Sequence, residues 1–388
     1  MRINRSRLVD FALQLVGQDS VSGQEGAVAR RTLAEMRELG LTASTDDWGN
    51  VVGVWHGGPG PIVLLDAHMD TIPIGDLDRW HHHARGEISG GRLYGRGAVD
   101  MKGALASMIY GAGSLIGENP PLSGTVVVCA SVIEEWVEGP ALVHVCKQTH
   151  PDYVIIGEAT DLMLAIAQKG RAEIQVDIHG ESAHSSRPHL GINAAEHMVD
   201  VIQAFRDWRP PVHPHLGAGL LVLTDLHSFP SPALSTIPSR CQATFDRRSL
   251  PGEQAEVLLP LQTIVANRLE GTNARNSVRI ACEELSTYTG AVVTTRKLAS
   301  AWEADADAPF VQQALHALGG TGLDAQVSTY SFCTNGSGSA GVLHLPTLGF
   351  GPGNPNQAHQ VDESLPIDDL VKAARGYAAI IRELMQMN

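Results

Sequence analysis

Residues 61–70 read PIVLLDAHMD, an apolar run from Ile62 to Leu65 that leads into His68 and Asp70. A short apolar stretch behind a proline is a strand buried on both faces, the kind found in a parallel sheet covered by helices. Two similar runs follow at 124–133 (GTVVVCASVI) and 153–157 (YVIIG), with helical segments at 101–116 and 139–148 between them and a strand at 43–56 before them. The last hundred residues resume the alternation. A helix at 307–318, a strand at 325–332, a glycine-rich turn at 335–341, a strand at 346–350 and a final helix at 366–386 are expected. Pro366 and two aspartates fall in the first turn of that final helix, where the helix dipole favours acid. This is an α/β pattern.

The middle of the chain differs. Strand 171–179 (RAEIQVDIH) leads to a helix at 192–206, strands at 218–224 and 239–246, a helical pattern at 253–269 and a strand at 277–282. That order, β-α-β-β-α-β, is the ferredoxin-like arrangement. Pro260 inside the second helix predicts a kink or a shortened helix. The expected division is a first catalytic part at 1–170, an inserted domain at 171–284 and a second catalytic part at 285–388.

Composition narrows the function. The 388 residues carry 28 Lys and Arg against 42 Asp and Glu, a formal charge of −14, with no basic run. That excludes the electrostatic footprint of a nucleic-acid binder and the basic face of a membrane-surface protein. No apolar run approaches the ~18 residues of a membrane span. The N-terminal apolar spacing (Leu8, Phe11, Leu13, Val16) reads as an amphipathic helix rather than a leader, so a cytoplasmic protein with nothing removed is expected. Five scattered cysteines argue against a disulfide framework and against a structural zinc knuckle.

The chemistry-bearing residues cluster just past strand ends: His68 and Asp70, Glu134 and Glu135, Glu158, and His359 in NQAHQVDE. Asp100 in GRGAVDMKG precedes a helix. Ligands of open α/β sheets collect at the carboxyl ends of strands. Two histidines and several carboxylates suit zinc, cobalt or manganese, and no thiolate accompanies them, so a catalytic rather than a structural site is expected. Three carboxylates (Asp100, Glu135, Glu158), a bridging hydroxide and two divalent ions balance to neutrality, which favours two metals about 3.5–4 Å apart over one. Asp70 is placed to accept the ring N–H of His68. Of the adjacent pair, one glutamate can ligate while the other serves as general base. The triplet His81-His82-His83 reads as a solvated loop.

These stretches resemble the M20 metallopeptidase family, which includes acetylornithine deacetylase, succinyl-diaminopimelate desuccinylase, aminoacylase-1 and glutamate carboxypeptidase. LLDAHMDTIPIGD, YGRGAVDMKGALA, EEWVEG, GEAT and AHQVDE match its metal motifs in order, from about residue 10 to the C-terminus. The resemblance implies a zinc-peptidase-like α/β catalytic domain with an inserted ferredoxin-like lid that also serves dimerisation. It makes Asp100 a bridging ligand, with His68 and Glu158 on one metal and Glu135 and His359 on the other. Glu134 becomes the general base and Asp70 the orienting residue, and the Asp100–Met101 bond is cis in many members. GESAHSSRPHLGINA resembles the stretch whose histidine, here His184, reaches the active site, often from a partner subunit. FDRRSLPGE resembles the stretch whose arginine binds a substrate carboxylate, here Arg248, with Arg247 left open as its neighbour.

Three stretches depart from the pattern. GEAT stands for G-E-P-T, WHHH for W-x-x-x-P-F, and TNGSGSAG for G-G-T-S-D, with Ser339 in place of the aspartate. Gly336 and Ser337 keep the small hydrogen-bonding character of that last loop, which either contacts substrate or only turns the chain. The expectation is a dinuclear metallohydrolase, zinc first with cobalt or manganese as alternatives. It would cleave the amide bond of an N-acyl amino acid and act as a homodimer through the lid, with no nucleic-acid or membrane partner. A dipeptidase or carboxypeptidase acting on a short peptide, an N-carbamoyl amidohydrolase and a non-catalytic binding protein on the same fold are the alternatives.

Overall fold

The computed structural model describes residues 3–118, 122–232, 234–253 and 256–387. Two compact units divide the chain. The first comprises Met1–Ala167, Glu284–Val293 and Glu303–Asn388, and the second Gln168–Glu283 and Thr294–Trp302.

In the first unit the strands are β1 (Thr42–Thr45), β2 (Val51–Gly58), β3 (Ile62–His68), β4 (Gly124–Ser131), β5 (Tyr153–Ile156), β6 (Leu164–Gln168), β7 (Val327–Tyr330) and β8 (Thr347–Gly349). The sheet runs β1-β2-β4-β3-β5-β8-β6, with β7 on β6. β4, β3, β5 and β8 are mutually parallel and the strands flanking them antiparallel. Alternation along β3 and β4 explains why they read as unbroken apolar runs. Val63, Leu65, Val126 and Val128 enter one buried cluster, while Leu64, Val127 and Cys129 enter another on the opposite face. With both faces covered, every position is buried except the half-buried Ile62 at the start of β3. The strand expected over 43–56 is two strands. Asp46 Oδ1 accepts the N–H groups of Trp48, Gly49 and Asn50, closing a turn between them.

Six helices of this unit matter: α1 (Arg5–Val16), α2 (Gly26–Glu38), α3 (Gly103–Gly113), α4 (Pro140–Thr149), α5 (Pro309–Gly320) and α6 (Ile367–Leu384). Asn4 caps α1 by accepting the Arg7 N–H at 3.1 Å. α3 is apolar around its whole circumference and correspondingly buried. It lies so close to α6 that a Cβ at Gly111 would meet the Ala374 carbonyl at 2.7 Å.

The second unit has the β-α-β-β-α-β order: Gly170–His179, Ala194–Asp207, Leu220–Phe229, Arg240–Ser249, Leu259–Arg268 and Arg275–Ile280. Numbering its four strands along the chain, the antiparallel sheet runs 2-3-1-4. Ala172, Ile174, Val176 and Ile178 alternate inward beneath Met198, Val201, Leu261 and Val265 of the helices. The helical pattern expected over 253–269 begins later, at Leu259, and residues 254–255 lie outside the described residues. Pro260 kinks nothing; it sits in the first turn, where its missing N–H costs no hydrogen bond. The second unit also takes 294–302, beyond the expected boundary at 284, because Leu298–Ala299 pairs with Gly170–His179. Among the described residues no helix is long and apolar enough to cross a membrane.

Gly111→Ala should destabilise the first unit by about 1–3 kcal/mol through overpacking against α6, seen as a lowered thermal midpoint. An unchanged midpoint would show that the two helices separate freely.

Candidate metal centre

The parallel strands carry their residues to one edge of the sheet. His68 ends β3, opposite Ser131 at the end of β4, and Asp66 pairs with Ile156 at the end of β5. Glu134 and Glu135 follow β4 and Glu158 follows β5, while the chain returns from β8 to His359. Asp100 lies in a tight turn, Ala98–Lys102, in which Asp100 and Met101 leave helical geometry and share a cis peptide bond.

Two groups of donor atoms result. His68, Asp100 and Glu158 bring one ligand atom each to within 4.8 Å of one another, and so do Asp100, Glu135 and His359. Asp100 belongs to both. Its Oδ1 is 3.0 Å from His68 Nε2 and its Oδ2 3.1 Å from His359 Nε2. His359 Nε2 also lies 3.1 Å from Glu135 Oε2, and His68 Nε2 is 3.4 Å from Glu158 Oε1. Glu134 belongs to neither group. Its Oε2 lies 3.7 Å from His68 Nε2, and its buried Oε1 has no hydrogen-bond partner among the described residues.

Electrostatics here are those of crowded acid. Burial raises the Glu134 carboxyl well above its ordinary range, and the charges of Glu158, Glu138 and Glu135 add to the rise against the pull of His68. Burial and Asp100 push Glu158 up to about 7. Burial also raises Glu135, partly offset by His359. Burial alone would raise Asp100 too, but hydrogen bonds from His359 and His68 hold it below the usual range. Asp100 and Glu135 push His359 up to about 10. An orphaned buried oxygen and several mutually repelling carboxylates beside imidazoles make a pocket whose charge divalent cations would balance. The donor set, two imidazoles and oxygen ligands with no thiolate, suits zinc, cobalt or manganese. A third cluster, Asp46, Asp47 and His144, is as close-knit. The Asp46 oxygens there are already spent on three main-chain N–H groups and the Asn50 amide.

Asp70 departs from its expected contact. His68 Nδ1 donates to the main-chain carbonyl of Asp70 at 2.9 Å, whereas Asp70 Oδ1 is 3.5 Å away. That bond still fixes the tautomer, leaving the Nε2 lone pair toward the site. The Asp70 carboxylate instead accepts the N–H of Glu134 at 3.1 Å, the N–H of Glu135 at 3.0 Å and the Ser22 hydroxyl at 2.6 Å. It holds the backbone that aims the two glutamates in different directions. Just before them, Ile133 adopts φ 54°, a left-handed conformation rare for a β-branched residue, and Glu25 Oε1 accepts its N–H at 3.1 Å.

Several positioning residues escape a reading of motifs alone. Glu363 is fully buried and accepts from Arg96 Nη1 at 2.7 Å and from the main-chain N–H groups of Gly97, Val99 and Asp100. It fastens the Asp100 turn, and it was in view as the last letter of AHQVDE. Asn335 donates to Asp66 Oδ2 and Ser131 Oγ and accepts the Gly139 N–H at 2.7 Å. The following residues, Gly336 and Ser337, are buried at the start of a turn over Ser337–Val342. A Cβ at Gly338 would lie 2.5 Å from the Gly139 carbonyl, so this loop is a packed element and not only a chain reversal. The histidine triplet is likewise more than a solvated loop. His81 is exposed, yet its N–H and ring meet Asp362, and the His82 ring stacks on Tyr94 at 3.6 Å.

In the second unit, His184 is exposed. Its Nδ1 accepts the Ser186 N–H at 3.1 Å, which leaves the ring proton on Nε2. Arg247 and Arg248 point to opposite faces of their strand. Arg247 is fully buried over Trp208, bonded to Glu253 Oε1 at 2.6 Å and to the Leu220 carbonyl. Arg248 is partly exposed, and among the described residues its guanidinium is committed through Nε, to Asp246 Oδ1 at 2.8 Å. The other Asp246 oxygen accepts from Arg171 Nε at 3.1 Å, so Asp246 holds two arginines side by side on adjacent strands.

Known proteins resemble this chain in sequence and in fold. The model of peptidase family M20/M25/M40 matches residues 64–383. An uncharacterized protein of Escherichia coli K12, YgeY, is 31% identical over 379 residues, covering 95% of this chain and 92% of that protein. Acetylornithine deacetylase of Vibrio cholerae is 30% identical over 315 residues, covering 79% and 77%. Among solved structures, YXEP of Bacillus subtilis, titled a dinuclear metal-binding peptidase of the M20 family, superposes with a TM-score of 0.75 at 13% identity, covering 99% of each chain.

Asp70→Ala should weaken metal retention or turnover about 10–100-fold, while Ser22→Ala, which removes one of its three donors, should cost less than tenfold. Metal analysis alongside turnover would check both; an Asp70 variant with full metal content and full turnover would show that the pair Glu134-Glu135 needs no such support.

Proposed function

The chain belongs to peptidase family M20/M25/M40, a family of amide-bond hydrolases, and we propose that its substrate is an N-acyl amino acid with a free α-carboxylate. The observation that carries the reading is the pair of donor sets sharing Asp100, with Glu134 beside them and bonded to neither. The relationship to acetylornithine deacetylase supports the substrate class.

His68 and Glu158 would hold one divalent ion and Glu135 and His359 the other, with Asp100 between them. When bound, such ions supply Lewis acidity and lower the pKa of water. Glu134 would take the proton of the attacking water at Oε1 or Oε2 and return it to the leaving amine. Its Oε1 has no hydrogen-bond partner among the described residues and so is open to that proton. His184, its proton on Nε2, would donate to the oxyanion. Arg248 would pair with the substrate carboxylate through the guanidinium nitrogens that Asp246 leaves available, and the buried packing of Arg247 leaves the role to its neighbour. Gly336 and Ser337, in the loop fastened by Asn335, would help Arg248 hold that carboxylate.

A second copy of the chain is the proposed partner. Leu220–Phe229 is an edge strand of the second unit, and Leu220, Val222, Leu223 and Leu226 on it are all exposed. A long apolar edge of this kind is a template for pairing. The five cysteines are free, in keeping with the reducing cytoplasm proposed for the protein.

A deacylation screen of N-acetyl, N-succinyl and N-carbamoyl amino acids and of dipeptides, each with zinc, cobalt and manganese, tests the substrate class. Exclusive turnover of dipeptides would replace this reading with a dipeptidase. Glu134→Gln should lose about 10²–10⁴-fold in kcat while retaining metal; near-normal kcat in a metal-replete variant would assign the base elsewhere. Arg248→Ala should impair substrates with a free carboxylate far more than their amidated analogues, and equal losses on both would make Arg248 structural.

A further inference from the structure

His359 is the least protected of the five donors. It is exposed, and it sits on a loop after a single short turn, Pro355–Gln357, with φ 63°. Asp362, three residues on, is the second left-handed residue of the same loop, at φ 57°. Two non-glycine residues in this region within four positions are costly unless the surroundings impose them.

The surroundings do impose them. Asp362 Oδ1 accepts the main-chain N–H of His81 at 2.8 Å and of His82 at 3.0 Å, and its Oδ2 accepts from His81 Nδ1 at 2.6 Å. The receiving segment is itself anchored. His82 stacks on Tyr94, its Nδ1 lies 3.1 Å from Glu87 Oε1, and Glu87 Oε2 accepts the His83 N–H at 2.9 Å. Tyr94 closes the circuit, because its strand, Arg92–Tyr94, pairs with Glu87–Ser89 on one side and on the other with Ser364–Pro366, immediately after the loop. The loop that carries His359 is thus clasped from outside by Asp362, independently of the grip of Glu363 on the Asp100 turn.

We propose that Asp362, through His81 and His82, is a positioning residue that sets the affinity of the metal position formed by Asp100, Glu135 and His359 while leaving the position formed by His68, Asp100 and Glu158 unchanged. The inference rests on His359 being a metal ligand. Asp362 touches neither group of donors; it confines the His359 backbone, so that the imidazole approaches Asp100 and Glu135 without a conformational search. Loss of such outer support costs metal affinity by about 10–100-fold.

The test is a stepwise titration of the metal-free full chain with cobalt, read by calorimetry and by the visible spectrum, on wild type and on Asp362→Ala, Asp362→Asn, His81→Ala and His359→Ala. Asp362→Ala should weaken the second binding event about 10–100-fold and leave the first within twofold. Asp362→Asn keeps the acceptor for both backbone N–H groups and should recover most of the loss. His81→Ala removes only the ring contact and should fall between the two. Should Asp362→Ala not fold, the ordering of Asn and His81 variants against wild type decides alone. Equal weakening of both events, or of neither, overturns the proposal. His359→Ala separates the premise: if it leaves both events intact, His359 is no ligand and the reading of the site itself fails.

Discussion

Carboxylates that repel one another at the carboxyl ends of parallel strands are the constraint on which the rest of this structure depends. Asp100, Glu134, Glu135 and Glu158 converge beside only two imidazoles. At an effective dielectric constant near 20, each like-charged pair 4 Å apart costs about 4 kcal/mol. A chain folded for its own stability would not assemble four of them; the assembly makes sense where divalent cations convert repulsion into attraction. The same arithmetic separates the roles. Four carboxylate and imidazole side chains join Asp100 in the two donor groups, and Glu134, left out of both, keeps an oxygen without a partner. A carboxylate in that position is available to move a proton.

Pre-organisation of such a site falls to a second set of acids that never enters it. Asp70, Glu363 and one oxygen of Glu25 accept main-chain N–H groups: those of Glu134 and Glu135, of Gly97, Val99 and Asp100, and of Gly23 and Ile133 respectively. Each thereby fixes a stretch of backbone that no helix or strand would hold, including a left-handed isoleucine and the turn at Asp100. Burial pushes Glu25 and Glu363 up to about 7, with Asp70 adding to the rise in the first case and Asp100 in the second. The bracing layer therefore shares the electrostatic strain of the layer it supports, and positive charge in the centre relieves both.

Much of this was legible in the sequence because it obeys local rules. Buried strands announce themselves as apolar runs, the second unit by the order of its periodicities, and the donors by lying directly after strands. What stayed hidden depends on contacts across long chain separations. The Asp70 carboxylate serves Glu134 and Glu135 some 65 positions away rather than the imidazole two positions away, since the chain leaving β3 brings the carbonyl and not the side chain to His68. Pro260 looked like a helix breaker because periodicity ran past the true start of the helix; its position in the first turn shows only once the boundary is known. The histidine triplet read as solvent-facing because its partner, Asp362, is about 280 residues distant.

Surroundings, and not chemical type alone, decide what a charged side chain can do, as the adjacent arginines of the second unit illustrate. Side chains alternate across a strand, so Arg247 and Arg248 meet opposite environments although their chemistry is identical. Arg247 lies over an indole with its charge paired and its surface covered, and moving it would leave a buried Glu253 contact and two carbonyls unsatisfied. Arg248 shares a face with Arg171, and Asp246 accepts from the Nε of both. Glu173 stands directly across from Asp246 and is paired in turn with Lys297, so acids and bases alternate here and the Arg248 side chain is restrained by its acidic neighbour. All the metal-type donors sit in the first unit and this oriented arginine pair in the second.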